Sequence, residues 1–428
     1  MGAYALEWVN LLLRWTHVVV AVAWIGASFY FVWLDNSLNP PADPALKAKG
    51  VGGELWAVHG GGFYNPQKYL GAPPQIPAHL HWFYWESYAT WITGFALFTV
   101  LYLFNANTFL IDRHVLDWSA HAAVASALGF LAGFWVIYDL ICRTLGRGAQ
   151  GDILAGAAVA GVVVASSYLA CHLFAGRAAF LLVGAMLATT MSANVFFWII
   201  PGQRKVIASI QAGQPVDPVH GRRGKQRSVH NTYFTLPVLF AMLSNHYGWA
   251  YTHAQNWLVL VLIMSSGALI RQFFVARHKT AREGLAAPWP WAAASVAVML
   301  GVAVWLAPSA RPAESDELAA SHGASASVSA SASASATAAA SGAQAIAGNP
   351  LFAQVKAIID QRCAMCHNAQ LANKGIDLHT PALIVRHAQQ IHQQAVQLRA
   401  MPMNNATRIT EQERETLGLW FKEGAPGP

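Results

Sequence analysis

The chain has 428 residues, of which 55% are hydrophobic and only 11% charged, against roughly 25% charged in an ordinary soluble domain. So few polar side chains do not cover a globular surface of this size, and the surplus apolar surface is expected to face lipid. The net charge of +7 lies in segments between apolar runs, which argues against a nucleic-acid-binding stripe, and four cysteines are too few for a disulfide framework.

A membrane helix needs about 20 mostly apolar residues. Eight runs meet that length: 8–34, 82–104, 118–141, 152–175, 178–200, 230–248, 254–276 and 289–307. Tryptophans mark many of their ends (Trp8, Trp33, Trp82, Trp118, Trp249, Trp289, Trp305), as interfacial aromatic belts do. The first run lacks a basic leader and a small-residue cleavage site, so it is expected to be a retained helix. Lysine and arginine concentrate after the odd-numbered runs, with Lys47, Lys68, Arg143, Arg204, Arg222, Arg227 and Arg277 among them. The segments after the second, fourth and sixth hold only Arg113 and Arg177. The positive-inside rule then puts the odd loops in the cytoplasm and both termini outside, in the periplasm of a bacterial inner membrane.

Ionisable groups inside spans are costly and usually functional. One tier, toward the periplasm, comprises His17, His121, His172 and His246. At 1.5 Å per residue, His17 lies about 13 Å below the end of its helix. Two imidazoles of this tier are candidate ligands of a b-type haem; the alternative is that each hydrogen-bonds within the bundle. A cytoplasmic tier comprises Asp35, Glu86, Asp139, Asn194, His230 and Asn231. The first cytoplasmic loop adds His59-Gly60-Gly61-Gly62-Phe63-Tyr64, Lys68 and His81-Trp82-Phe83-Tyr84-Trp85-Glu86. Successive glycines allow close backbone approach to a ligand, and the aromatic rings offer stacking surfaces. An ordinary structured loop with an aromatic belt is the competing reading.

Residues 309–348 are rich in alanine, serine and glycine without apolar periodicity. They read as a flexible linker, and forty such residues reach on the order of 35 Å. From Asn349 the pattern changes. Val355, Ile358 and Ile359 form an apolar stripe leading into Cys363-Ala364-Met365-Cys366-His367, the C-x-x-C-H arrangement that attaches haem c covalently, with the histidine as iron ligand. Met401 of Met401-Pro402-Met403 is the expected sixth ligand, a thioether that raises the iron potential. Met403, His379, His387 and His392 are the alternatives. Thr410 and Glu413 form a capping box before a stripe of Leu417, Trp420 and Phe421. The expected fold is all-α: an eight-helix transmembrane bundle over 1–308, the linker 309–348, and a small all-α cytochrome c domain over 349–428.

Read together, these segments resemble the bacterial membrane-bound urate hydroxylases, the cytochrome c urate oxidases. The likeness includes Arg14-Trp15-Thr16-His17, Trp24 to Phe29, the His59 to Tyr64 loop, Leu80 to Glu86, Asn194 to Gln203, His230-Asn231-Thr232-Tyr233, Leu243 to Tyr247 and the haem motif with Met401-Pro402. The resemblance implies oxidation of urate to 5-hydroxyisourate, with electrons leaving through haem c to a soluble cytochrome c or a terminal oxidase and no obligatory hydrogen peroxide.

Such chemistry needs donors for an anionic purine (Lys68, His59, Asn231, Thr232), a base (His59, His81, His230 or Glu86) and stacking rings (Phe63, Tyr64, Trp82, Trp85). A cytoplasmic urate site would lie most of a roughly 30 Å hydrocarbon core from a periplasmic haem, too far for direct tunnelling, so a deeper site or a relay is expected. Two other functions fit the same composition: a quinol-oxidising membrane cytochrome, and a non-catalytic membrane anchor for an electron-transfer cytochrome c.

Overall fold

A computed structural model describes residues 2–113, 115–148, 150–307, 349–368, 376–397 and 399–428. The expected linker, 309–348, lies outside the described residues. The chain is mostly helical, and each of the eight apolar runs falls on helix. Among the described residues, five helices are long and apolar enough to cross a membrane: Trp8–Ser37, Ala120–Thr144, Gly151–Leu173, Gly176–Gln211 and Asn256–Arg282. Trp289–Trp305 is apolar but shorter.

The first helix, α1 (Gly2–Ser37), is followed by the short α2 (Pro44–Ala48) and two antiparallel strand pairs. Strand β1 (Val51–Glu54) pairs with β4 (Gln67–Tyr69), and β2 (Ala57–His59) pairs with β3 (Gly62–Tyr64). The first loop is therefore partly β, a correction to the all-α expectation. Its glycines account for this: Gly60 and Gly61 have φ of 57° and 80°, the positive values that a two-residue hairpin turn demands at both central positions. The hairpin leaves Phe63 and Val58 exposed.

Next come α3 (Trp85–Phe98), extended by a π turn at Thr99–Leu103, then α4 (Ala106–Phe109), α5 (Ala120–Thr144) and α6 (Gly151–Leu173). Helix α7 (Gly176–Asn194) runs through a π turn at Val195–Ile199 into α8 (Ile200–Gln211). Pro201 stands at the start of α8 and lacks the N–H that a regular helix needs there. Helix α9 (Pro218–Leu243) is capped by Asp217, whose carboxylate accepts from the Val219 N–H at 2.8 Å. Its early start is a second correction. Arg222, Arg223, Lys225 and Arg227 stand on a helix rather than in a loop, because a capped, polar first half escapes a reading based on hydropathy. Then follow α10 (Gly248–Tyr251), α11 (Asn256–Arg282) and α12 (Trp289–Trp305).

Helix α7 is the centre of the bundle. Ala178, Ala179, Phe180, Leu182, Val183 and Met186 are fully buried, and it packs against α5, α6 and α9. Helix α1 is peripheral: none of its described side chains is buried, and it presents Trp15, Val18, Val19 and Val22 outward. Small residues bring α7 and α9 together. A Cβ at Gly184 would lie 2.7 Å from the Ala241 Cβ, so Gly184→Ala is expected to cost about 1–3 kcal/mol, read as a lower melting temperature in detergent.

The C-terminal unit has its own core. It consists of α13 (Pro350–Arg362), α14 (Pro381–Arg386), α15 (Ala388–Ile391), a π turn at His392–Gln397, and α16 (Glu411–Lys422). Asn349 caps α13, accepting from the Leu351 N–H at 2.9 Å, and the Thr410/Glu413 capping box opens α16. Val355, Ile359, Leu417 and Trp420 are wholly buried between these helices. The unit touches the bundle at one end. Arg177 at the start of α7 donates to the Met403 sulfur at 3.3 Å and to Asn245 Oδ1 at 3.0 Å, and Arg113 and Asp117 face Asn405 and Arg408 across a small cleft.

Candidate functional site

At the opposite end of the bundle is a cavity of about 910 Å³. Its walls come from the end of α1 (Val32, Asp35, Asn36), the segment Leu80–Trp82, α8, the polar first half of α9 (His220 to Tyr233) and Val275 of α11. The π turn ahead of Pro201 leads into the wall at Ile199 and Gly202, consistent with the frequent placement of π bulges at functional positions.

Three of the expected substrate-binding residues, Lys68, Trp82 and Thr232, meet here with one of the expected bases, His81. Lys68 pairs with Asp35 at 2.8 Å, with both side chains more than half exposed, so the pair forms a solvated rim that contributes little stability. The Trp82 ring lies 5.8 Å from the Arg204 guanidinium carbon, and His81 packs edge-on to Phe83. Tyr233 lines the inner wall and donates a hydrogen bond to Gln272 Oε1.

Other candidates lie elsewhere. His59, Phe63 and Tyr64 are exposed on the β2–β3 hairpin, away from the cavity lining. Trp85 is exposed at the start of α3, and the neighbouring Glu86 keeps one buried carboxylate oxygen without a hydrogen-bond partner. His230 and Asn231 turn away from the cavity into a polar network. The His230 Nδ1 lies 2.8 Å from the Tyr138 hydroxyl, and Asn194 Nδ2 donates to Tyr138 Oη at 2.9 Å and to Asn231 Oδ1 at 3.0 Å. Beside it Asp139 accepts from Arg227 at 2.8 Å and from Arg143 at 2.6 Å.

Two functional-looking residues escaped the sequence reading: Arg227, counted with a loop, and Arg271, within the apolar α11. Both are about 95% or more buried. A charge inside an apolar helix was the available signal.

The histidine tier is dispersed. His121, His172 and His246 are exposed; His172 Nδ1 bonds the Tyr168 carbonyl within its own helix. His17 is half-buried, 3.0 Å from the Thr93 hydroxyl. Its helix packs chiefly on α3, α9 and α11, none of which carries the other three histidines.

In the C-terminal unit, the chemistry of the donor set fits haem c. Cys363 and Cys366 follow the end of α13, and His367 Nδ1 donates to the Ile376 carbonyl at 3.1 Å. That bond fixes the tautomer and leaves the Nε2 lone pair available to a metal. Burial pushes the free Cys363 thiol up to about 12. Among the alternatives to Met401, His379 pairs with Asp377 at 2.6 Å, His392 stacks on Phe421, and Met403 is held by Arg177; His387 Nδ1 is buried without a partner. The Met401 carbonyl accepts from Arg414 at 2.9 Å, which pins that segment to α16.

Arg362 braces the motif from α13, holding Glu413 in a two-pronged ion pair at 2.9–3.2 Å. Burial works to raise the Glu413 carboxyl, but the hydrogen bonds from Arg362 and the Thr410 N–H outweigh it and hold the group below its ordinary value. A depressed acid contributes stability above its unfolded value and loses it as pH falls through the folded one. The unit is therefore expected to lose stability on acidification, and Glu413→Gln to remove about 1–3 kcal/mol near neutrality and flatten that acid dependence, measured by melting against pH.

The sequence model of the urate oxidase N-terminal family matches residues 3–307, the span that contains the whole bundle and the cavity. No curated protein and no solved structure matches the chain.

Proposed function

Because the chain belongs to the urate oxidase N-terminal family, we propose that its bundle oxidises urate to 5-hydroxyisourate and that its C-terminal unit carries the electrons away. The observation that carries this reading is the cavity within the family-matched span, where cationic, imidazole, hydroxyl and indole groups converge. The urate monoanion and one water give 5-hydroxyisourate, two electrons and one proton. Lys68 at the rim attracts the anion, Trp82 offers a ring face to the planar purine, and Thr232 and Tyr233 supply hydroxyls for its polar edge. Of the two imidazoles in the lining, His81 and His220, His81 beside Trp82 is assigned to take the proton. His59 and Glu86, outside the lining, are assigned no contact with urate.

Cys363 and Cys366 would hold haem c by thioether bonds, and His367 and Met401 would supply donors to its iron. A haem held by these residues would supply one-electron chemistry between urate and a soluble cytochrome c or terminal oxidase, so oxygen need not be reduced to peroxide. The docking of the Met401–Met403 segment beside Arg177 and Asn245 supports an outlet at that end. It is also the end that holds Arg113 and Arg177 and few other cations, in keeping with a periplasmic face of a bacterial inner membrane. The family match and five membrane-length helices support a multi-pass protein in lipid.

From Tyr233 to Leu243, the end of α9, is ten residues, about 15 Å, shorter than the full hydrocarbon core. His17 is a fitting imidazole for a b-type haem, but its neighbouring helices supply no facing partner from the expected tier, and no step is derived through such a group.

Membranes containing the protein, given urate and oxidised cytochrome c, are expected to reduce two cytochromes per urate with no hydrogen peroxide. Quinol-dependent reduction without urate-dependent reduction, or stoichiometric peroxide, would overturn the proposal.

A further inference from the structure

Arg271 of α11 has no acidic partner among the described residues, although it is 5% exposed. Its guanidinium carbon lies 3.8 Å from the centre of the Phe29 ring on α1. Its Nε and Nη2 atoms are buried and make no hydrogen bond. The contrast with Arg227 is direct: that equally buried arginine has the Asp139 carboxylate at 2.8 Å. An unpaired cation in a low-dielectric interior costs several kcal/mol, and retaining one is explained when a ligand supplies the missing charge.

Its position relates it to the cavity. Val275 of α11 and Val32 of α1 line the cavity wall, and Arg271 and Phe29 stand four and three residues before them. The pair therefore lies about one helical turn deeper on the same two helices. From the third side comes α9, whose Tyr233 lines the cavity. Gln272, next in sequence, holds the Tyr233 hydroxyl. Lys68 and Lys225 are the cations of the cavity lining itself; Arg271 stands about one turn below that lining, between α1, α9 and α11.

We propose that Arg271 is the anion-recognition residue of this cavity, its unpaired Nε–Nη2 edge receiving two adjacent acceptors of a planar anionic purine. The inference rests on the urate reading above and adds its binding determinant. Nε and Nη2 form the side-on fork of a guanidinium, which meets paired acceptors with two parallel hydrogen bonds; an ammonium gives only a point charge. Urate at neutral pH is planar, singly negative, and carries neighbouring nitrogen and oxygen acceptors along its edge. A neutral purine of the same size lacks the charge that would compensate the arginine, so the device selects for the anion. Binding one turn below the valines also draws the substrate away from the solvated Lys68–Asp35 rim and deeper into the bundle.

The test is equilibrium dialysis of the full-length protein in detergent with radiolabelled urate and, separately, hypoxanthine as the neutral purine. The haem c spectrum and melting temperature report folding. Arg271→Gln is expected to weaken urate binding by about 100-fold, the loss of a buried charge-assisted pair, while changing hypoxanthine binding less than about threefold. Arg271→Lys keeps the charge without the fork and is expected to fall about tenfold short of the wild type; it decides the matter if the glutamine variant does not fold. Urate binding equal to the wild type in either folded variant overturns the assignment. Wild-type protein that binds urate through Arg271 without oxidising it supports the assignment and overturns the proposed reaction; wild-type protein that binds no urate overturns both.

Discussion

His367→Ala protein is expected to bind urate as the wild type does and yet reduce no external cytochrome c. The cavity and the C-terminal unit lie at opposite ends of the bundle, the cavity beside α8 and the polar start of α9 and the unit against the start of α7. Removing the imidazole whose Nδ1 is anchored on the Ile376 carbonyl removes the proposed iron ligand without disturbing Lys68, His81 or Thr232. Urate-dependent electron transfer should fall at least about 100-fold, the order of loss seen when a metal site is compromised. Urate affinity by dialysis should stay within about threefold, since a change equivalent to less than one hydrogen bond is all that distance allows. Cys363→Ala with Cys366→Ala should behave likewise and lose the covalent haem band on a denaturing gel. Substantial urate-driven reduction of cytochrome c by His367→Ala would show that electrons leave by another route.

Asp139→Ala is expected to destabilise the bundle by about 3–5 kcal/mol, because it strands a buried arginine. Arg227 lies under the ring faces of Tyr138 and Trp198, at 4.9 and 5.1 Å, and Asp139 is its only acidic partner among the described residues. Arg143 and Arg223 also approach Trp198, at 4.8 and 5.5 Å, so removing the carboxylate leaves cations around one indole with less to offset them. Removing both charges with Asp139→Leu and Arg227→Met should recover most of the loss, since a buried ion pair often exchanges for apolar packing at little net cost. Chemical unfolding in micelles reads both. A single variant as stable as the wild type would mean that Arg227 is compensated by something other than Asp139.

The helices were legible because apolar length is a direct physical requirement of lipid. Helix covers most of each of the eight runs, but only five helices among the described residues are long and apolar enough to cross a membrane; the stripe of Val355, Ile359, Leu417 and Trp420 forms the core of the C-terminal unit as its spacing predicts. The first loop was not legible in the same way. Glycines permit both close ligand approach and tight turns, and only strand pairing at His59 and Gly62 distinguishes the two. The polar start of α9 was missed for a related reason: hydropathy registers what faces lipid, whereas Arg227 faces Asp139 on another helix, and no local pattern announces a partner 88 residues away. The cavity was half legible. Lys68, His81, Trp82 and Thr232 have types suited to an anionic purine, but sequence does not tell that His59 and Phe63 turn outward on a hairpin. Arg271 was missed because it sits in an otherwise apolar helix, where its lack of a partner becomes visible only once three helices are packed around it.

The most direct measurement is anaerobic stopped-flow mixing of urate with the purified full-length protein in its oxidised form, following the haem c absorbance. The account predicts that urate alone reduces the haem, that 5-hydroxyisourate forms with half a urate consumed per electron accepted, and that xanthine in place of urate gives no reduction. A haem that stays oxidised with urate yet is reduced at once by dithionite would contradict it.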